Sequence, residues 1–306
     1  MSSKQTVEVH LQLAPPLDVN LLNGLTLGLG GEHQCINAGL ATALCSTWLQ
    51  RTGHMEVNCL NHTSSLPKQF IKGLSMATLQ GRAQIVPDHS LDTENSQDLV
   101  FYLDGAHSPE SMEVCAKWFC HTIKEENKEK NCWNNDSSAS CKMVDTYSCG
   151  SPKKNSTQIL LFNCMSVRDP QLLLPCLFNA CSNHGVCFKT ALFAPNISVY
   201  NKVLSSALPP TDTQVDLSWQ LNLQKLWEKL INGEKGRDAN SEDPINEEGD
   251  KERSVGNCEN SMVFSSLPLA IKWLQDRVQQ NKSVRFQVLV TGSLHLVGDV
   301  LRLIKR

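Results

Sequence analysis

From Asp98 onward the chain alternates short, almost continuous apolar runs with longer stretches in which apolar residues recur every three or four positions. The run "DLVFYL" predicts a strand, and the stretch after it sets Met112, Cys115, Phe119 and Ile123 on one helical face. "QILLFN" and "GVCFKTALFAP" predict two more strands, with a helix at "DPQLLLPCLFNAC" between them. Helices are predicted at "DLSWQLNLQKLWEKLIN" and "SLPLAIKWLQDRVQQ", and the chain closes with the strand "RFQVLVTG" and the helix "SLHLVGDVLRLIKR". Nearly continuous apolar strands are buried on both faces. The pattern therefore predicts an α/β fold, a mostly parallel sheet with helices on both of its faces.

The pattern differs upstream. "GEHQCINAGLATALCSTWLQ" carries Ala38, Ala41, Leu44, Cys45 and Trp48 at helical spacing and is expected to be a packed helix behind the glycine-rich "LTLGLGG". Those glycines predict a turn, because no G-x-G-x-x-G follows a strand and opens a helix. The expected division is a first region at 1–75 and the α/β domain at 76–306. Two polar stretches, near 125–157 and 233–258, have little apolar periodicity and are expected to be disordered surface insertions.

Composition narrows the function classes. Apolar residues make up 41% and charged residues 19%, with a formal net charge of -3, which fits a globular chain and argues against a nucleic-acid partner. No run approaches the roughly 20 apolar residues of a membrane span. The start, "MSSKQTVEVHLQL", has neither a signal-peptide core nor an Arg-rich transit pattern, so the expected setting is the cytoplasm, or the mitochondrial matrix after import. Thirteen scattered cysteines, an odd number, predict reduced and mostly buried thiols. Cys132, Cys141 and Cys149, with Cys164 beyond them, lack the paired spacing of a zinc site, and no metal site is expected in the chain.

Two strand-to-helix junctions could carry chemistry, since ligands of open α/β sheets bind beyond the carboxyl ends of the strands. One is Asp104-Gly105-Ala106-His107-Ser108, with Ser108 placed to cap and Pro109 in the first helical position. The other is Thr291-Gly292-Ser293-Leu294-His295, where Ser293 can cap the last helix. On position alone the acid and the serines read as helix caps and His107 as a polar loop residue. Exposed N–H groups at both helix starts would favour a carboxylate or a phosphate.

The ordered set "LTLGLGGEHQCINAGLA", "QGRAQIV", "YLDGAHSPES", "LLFNCMSVRDP" and "VLVTGSLHLVG" resembles eukaryotic folylpolyglutamate synthases, members of the Mur ligase superfamily, from about Leu25 to the end. The resemblance implies a Rossmann-like Mur ligase C-terminal domain at 76–306, preceded by a remnant of the central domain and linker. It also implies a reaction. ATP phosphorylates the terminal carboxylate of a reduced folate, and the amino group of L-glutamate attacks the acyl phosphate. By the family motifs, Arg82 and Asp104 hold ATP, His107 and Ser293 place glutamate, and His33 and Asn37 reach toward the nucleotide from the linker side. No residue of the chain is assigned a catalytic role, and a monomer is expected.

The chain also departs from the family pattern. "SVRDP" puts Val167 where relatives commonly have an acid, ahead of Arg168 and Asp169; Asp299 stands in place of a glycine, Leu79 in place of a Trp, and Ser108 in place of Asn or Thr. The sequence contains no G-x-x-x-x-G-K-[ST] and no Gly-Lys dipeptide. The family's P-loop, its Mg2+ ligands and its folate cleft are thus expected in an N-terminal domain outside this chain, which alone should not turn over. The alternative reading is a non-catalytic binding or regulatory protein derived from the ligase C-terminal domain; within the enzyme class, the motif wording is closer to the polyglutamate enzyme than to dihydrofolate synthase.

Overall fold

Alternate residues of Leu99–Leu103 point to opposite sides, yet all five are buried, because this strand lies inside a sheet covered on both faces. In the computed structural model, residues 11–54, 66–88, 98–132, 155–197, 215–235 and 260–305 are described, and the chain divides into two compact units, Met1–Leu79 and Gln80–Arg306. Described strands of the second unit are β1 (Gln84–Pro87), β2 (Leu99–Leu103), β3 (Asn155–Phe162), β4 (Thr190–Phe193), β5 (Ser261–Val263) and β6 (Val284–Thr291). They form one sheet in the order β1-β2-β6-β3-β4-β5; β1 runs antiparallel on the edge and every other pairing is parallel.

Helices α3 (Pro109–Cys132), α4 (Pro170–Asn183) and α5 (Ser218–Lys235) contribute to the core on one face, where Val100, Tyr102, Phe119, Leu160, Leu177 and Trp227 meet. Helices α6 (Leu267–Gln280) and α7 (Leu294–Ile304) contribute to the other, around Phe101, Leu161, Leu274, Val288 and Val300. The expected mostly parallel sheet with helices on both faces is what the chain forms. Two edge strands, β1 and β5, lie outside the expected set. They are four and three residues long, and strands that short give almost no periodicity to read.

The expected insertion boundaries need correction. α3 continues to Cys132, β3 already begins at Asn155, and α5 continues to Lys235. Part of the reason is a polar network beneath α3. The Tyr102 hydroxyl donates to Glu126 Oε1 at 2.7 Å, Arg285 Nη2 lies 2.9 Å from Glu126 Oε2, and Gln287 Nε2 donates to the Tyr102 oxygen at 3.1 Å. A helix anchored at Glu126 has a reason to extend that hydrophobic periodicity does not report. Residues 133–154 and 236–259 lie outside the described residues.

The first unit holds a short 3-10 helix (Val19–Leu22), α1 (His33–Arg51) and α2 (Lys68–Met76). Its described core is small: Leu17, Leu22, Ala38, Leu66 and Ile71. The expected packing face of α1 is only partly right. Ala38 is buried, but Ala41, Leu44, Cys45 and Trp48 are exposed, and Gly39, Thr42, Ala43 and Ser46 are buried in their place. The small side chains let the backbone come close: at Gly39 an added Cβ would overlap the Pro15 carbonyl oxygen. Among the described residues no helix is long and apolar enough to cross a membrane.

Candidate functional site

Asp104 is the first residue beyond β2, and its N–H still donates to Val290 O of the neighbouring β6 at 3.1 Å. Its largely buried carboxylate accepts from the Ala83 N–H at 3.0 Å, and Arg82 Nη1 lies 3.8 Å away. Ala83 adopts a positive φ of 45°, a conformation that costs an L residue energy and that here aims its N–H at Asp104. The tight turn before it is closed by Gly81, whose N–H donates to Gln84 Oε1 at 2.9 Å and whose carbonyl accepts from Gly105 N–H at 3.0 Å. "QGRAQ" and "DGAH" thus form one connected structure with the Arg82–Asp104 pair at its surface.

His107 follows on the same loop. Its Nδ1 lies 2.9 Å from the Gly105 carbonyl oxygen, which can only accept, so Nδ1 carries the hydrogen and a neutral ring presents the Nε2 lone pair. Ser108 caps α3, accepting from Ser111 N–H at 3.3 Å, while Ser111 Oγ accepts from the N–H groups of His107 and Ser108 at 3.0 and 2.9 Å. The reciprocal arrangement is that of a capping box, with Ser111 in the position where Glu or Gln is usual.

The second junction sits beside the first because β2 and β6 are parallel neighbours, with Leu103 opposite Val290. Gly292 N–H donates to Ala106 O at 3.1 Å, tying the two loops together. Gly292 has a φ of 103°, and an added Cβ would stand 2.7 Å from the Asn163 carbonyl oxygen, so a larger residue is excluded on two counts. Ser293 is buried and caps α7 by accepting from His295 N–H at 3.1 Å. Gly105 leaves room for Leu294, the first residue of α7, whose Cα would be 3.2 Å from an added Cβ. The N-termini of α3 and α7 therefore open at the same edge of the sheet, each offering positive helix-dipole potential.

Electrostatics at this edge are dominated by Asp104 and Arg82. The thiol of Cys115, fully buried below and 3.7 Å from Thr291 Oγ1, is pushed well above its ordinary pKa, first by burial and then by the negative charge of Asp104. A buried amide cluster lies along the same edge: Asn163 Nδ2 donates to Asn196 Oδ1 at 3.0 Å, and Gln220 Nε2 donates to Asn163 Oδ1 at 3.3 Å. Among the described residues no group of three His, Cys, Asp or Glu side chains comes close enough to hold a metal ion.

Arg82, Asp104, His107 and Ser293 are thus brought together by three adjoining segments of the second unit, the turn before β1 and the loops after β2 and β6. His33 and Asn37 form a separate cluster in the first unit, at the start of α1. Asn37 Nδ2 donates to Gln34 Oε1 at 3.0 Å, and Gln34 Nε2 donates to His33 Nε2 at 2.8 Å. The segments that depart from the family pattern also hold residues with local roles, the retained Asp169 among them. Asp169 caps α4, accepting from Gln171 N–H at 2.9 Å, and buried Asp299 pairs with Arg302 Nη2 at 2.7 Å. Val167 and Leu79 are exposed. Of the four cysteines weighed as a zinc site, Cys141 and Cys149 lie outside the described residues, and burial pushes the Cys164 thiol up to about 12.

Sequence reasoning missed Ala83, Ser111 and the Asn163–Asn196–Gln220 cluster. Ser108-x-x-Ser111 has capping-box spacing and could have been found; the backbone donor of Ala83 and the three amides, far apart in the sequence, leave no local signal.

Comparison with known proteins places the chain. No family model matches it. Two folylpolyglutamate synthases from Arabidopsis thaliana are 54% and 44% identical to it over 301 and 328 residues, covering 98% of this chain and 50% and 51% of their own lengths. The mitochondrial folylpolyglutamate synthase of Homo sapiens is 28% identical over 348 residues, covering 98% of this chain and 53% of its own. A solved folylpolyglutamate synthase from Mycobacterium tuberculosis, complexed with ADP and AMPPCP, aligns at a TM-score of 0.48 and 15% identity over 92% of this chain and 42% of that one. By sequence the chain is similar to folylpolyglutamate synthases along nearly its whole length, and it spans about half the length of the curated relatives it matches.

Proposed function

We propose that the chain is the nucleotide- and glutamate-contacting half of a folylpolyglutamate synthase, an ATP-dependent ligase that extends reduced folates with L-glutamate in one-carbon metabolism. The observation that carries this reading is the union of the two loops at the carboxyl edge of β2 and β6, sealed by the Gly292 to Ala106 hydrogen bond. Arg82 presents a planar fork suited to phosphate oxygens. Asp104, held by Ala83 N–H, is placed to accept from nucleotide hydroxyl or amino groups. His107, its Nδ1 held at the Gly105 carbonyl, and the N-terminus of α7 at Ser293 suit the ammonium and carboxylate groups of glutamate. His33 and Asn37 are assigned to the nucleotide side as well.

ATP and Mg2+ are the cofactors on this reading. Magnesium would neutralise the phosphates, and the resemblance assigns its ligands to the part of the ligase that this chain does not span. The region up to about residue 75 is then part of the family's central domain. The working compartment is the cytoplasm or the mitochondrion, in line with a mitochondrial relative, and the chain acts as a monomer of the ligase.

Calorimetric titration of the purified chain with ATP and with L-glutamate tests the assignment. Weak binding of both is expected, with Asp104→Ala selectively weakening ATP and His107→Ala selectively weakening glutamate, each by about tenfold, or ~1.4 kcal/mol. The chain alone should not extend a reduced folate; extension by the purified chain would overturn the division of the site between two halves. Binding of neither ligand would overturn the assignment itself.

A further inference from the structure

Helices α3 and α4 lie side by side on one face of the sheet, and cysteines meet between them. Cys120 of α3 and Cys181 of α4 are each 1% exposed and belong to the same core cluster. The Cys181 S–H donates to the Cys120 sulfur, so two thiols far apart in the sequence are in direct contact. Nearer the junction loop a second link joins the same helices, where Cys176 Sγ donates to the Pro109 carbonyl at 3.1 Å. Just past the end of α4 the chain turns back, and the Val186 N–H donates to the Cys181 carbonyl at 3.0 Å. That turn brings the exposed Cys187 close enough to Cys181 to influence its ionisation. The two buried thiols are not equivalent. The bond from Cys181 lowers the pKa of Cys120 against the opposing effect of burial, with help from the Lys124 ammonium; the same bond, and then burial, push Cys181 up. Cys120 is thus the better nucleophile of the pair for thiol–disulfide exchange.

We propose that Cys120 and Cys181 form a reversible disulfide that locks α3 to α4, loaded from the surface through Cys187 by a low-molecular-weight disulfide such as oxidised glutathione. The Cys187 thiolate attacks the small disulfide and releases one small thiol. Cys181, passing its proton to the Cys120 sulfur it already touches, attacks the Cys187 sulfur and releases the second small thiol. Cys120 then gives up that proton and attacks the Cys181 sulfur, and Cys187 leaves as a thiolate. In sum two protein thiols are oxidised and one small disulfide is reduced to two thiols, which carry off the protons. Sulfurs already in hydrogen-bond contact need to close by only about 2 Å to reach disulfide length. A cross-link between residues so far apart in the chain restricts the unfolded state, which makes the oxidised form the more stable one. The pair stands apart from the ligase reading and does not depend on it.

Incubation of the reduced, purified chain with excess oxidised glutathione tests this, followed by acid quenching, alkylation and mass spectrometry of its peptides. A Cys120–Cys181 cross-link should become the main disulfide, should disappear on addition of dithiothreitol, and should raise the Tm by roughly 5–10 °C. Cys187→Ser should form the cross-link at least tenfold more slowly, and Cys181→Ala should form no disulfide at Cys120. Cys115→Ala, at another buried cysteine of α3, should form the cross-link at the parent rate. The parent chain alone decides the central point, so a variant that folds poorly does not spare the proposal. It is overturned if Cys120 and Cys181 stay unlinked while other cysteines carry glutathione or pair among themselves, if Cys187→Ser oxidises as fast as the parent, or if the cross-linked chain melts no higher than the reduced one.

Discussion

Helices α7 and α1 both follow glycine-marked turns and both carry long apolar side chains, but they use them in opposite ways. In α7, Leu296, Val297, Val300, Leu301 and Ile304 are all buried against the sheet, and the one buried acid, Asp299, is paired with Arg302. In α1 the buried positions are mostly small or polar, while Ile36, Leu40, Leu44 and Trp48 face outward. The difference teaches that the described core of the second unit takes up the large apolar side chains of its helices, whereas α1 buries small residues and leaves its large ones exposed.

That contrast can be broken most forcefully in the core of the second unit. Trp227 is fully buried, with its ring edge-on to Phe178 at 5.4 Å and near Phe188 at 6.1 Å. Trp227→Ala should destabilise the chain by about 3–5 kcal/mol in denaturant titration. Gly292→Ala comes next: with φ at 103° and the Asn163 carbonyl in the way, it should cost about 2 kcal/mol and disturb the junction loops. Ser293→Ala removes a cap and should cost about 1 kcal/mol, detectable as a lower Tm. Smallest of the substitutions is Leu44→Gln on the exposed face of α1, which should leave the stability of the isolated chain within about 0.5 kcal/mol. A loss as large as that of a core residue would show that this face is already covered.

The thiols sharpen the same comparison through pH. Cys164 is raised to about 12 by burial, so it stays protonated in the folded chain while an unfolded thiol ionises near its usual pKa of about 8.5. Between those values the unfolded state binds fewer protons, and stability falls as pH rises. Equilibrium unfolding followed from pH 7 to pH 10 should show progressive destabilisation beginning above about pH 8. In the folded chain at pH 8, mass spectrometry should find Cys45 alkylated long before Cys164 or Cys115.

The parallel sheet was legible because β2, β3, β4 and β6 are buried on both faces, which leaves runs such as "DLVFYL" and "RFQVLVTG" with hardly a polar interruption. Edge strands β1 and β5 were not, since each has a partner on one side only and needs few apolar residues. The packing face of α1 was misread for a related reason: a helix that is apolar all round gives no preferred side, and the covered side turned out to be the one with the smallest residues. The site was legible only in part. Ser108 and Ser293 announced themselves as caps, whereas Asp104, which also read as a cap on position, instead takes the Ala83 N–H and pairs with Arg82; companion motifs gave Asp104 and Ser293 prospective ligands. Nothing local in the sequence disclosed that Ala83 would turn its N–H onto Asp104, because that contact joins positions 21 residues apart through a strained turn.

The pairing of β2 with β6 has a mechanical consequence. Leu103 stands opposite Val290, so the two chains leave the sheet level with each other, separated by the strand spacing of about 4.8 Å. Every later residue of either loop is measured from that common starting line. The sheet thereby works as a ruler: the gap between Asp104 and the start of α7 is set by hydrogen-bond registry buried well below the surface. Side chains at the rim can be exchanged without changing that gap, whereas a slip of one residue in the strands would change it at once.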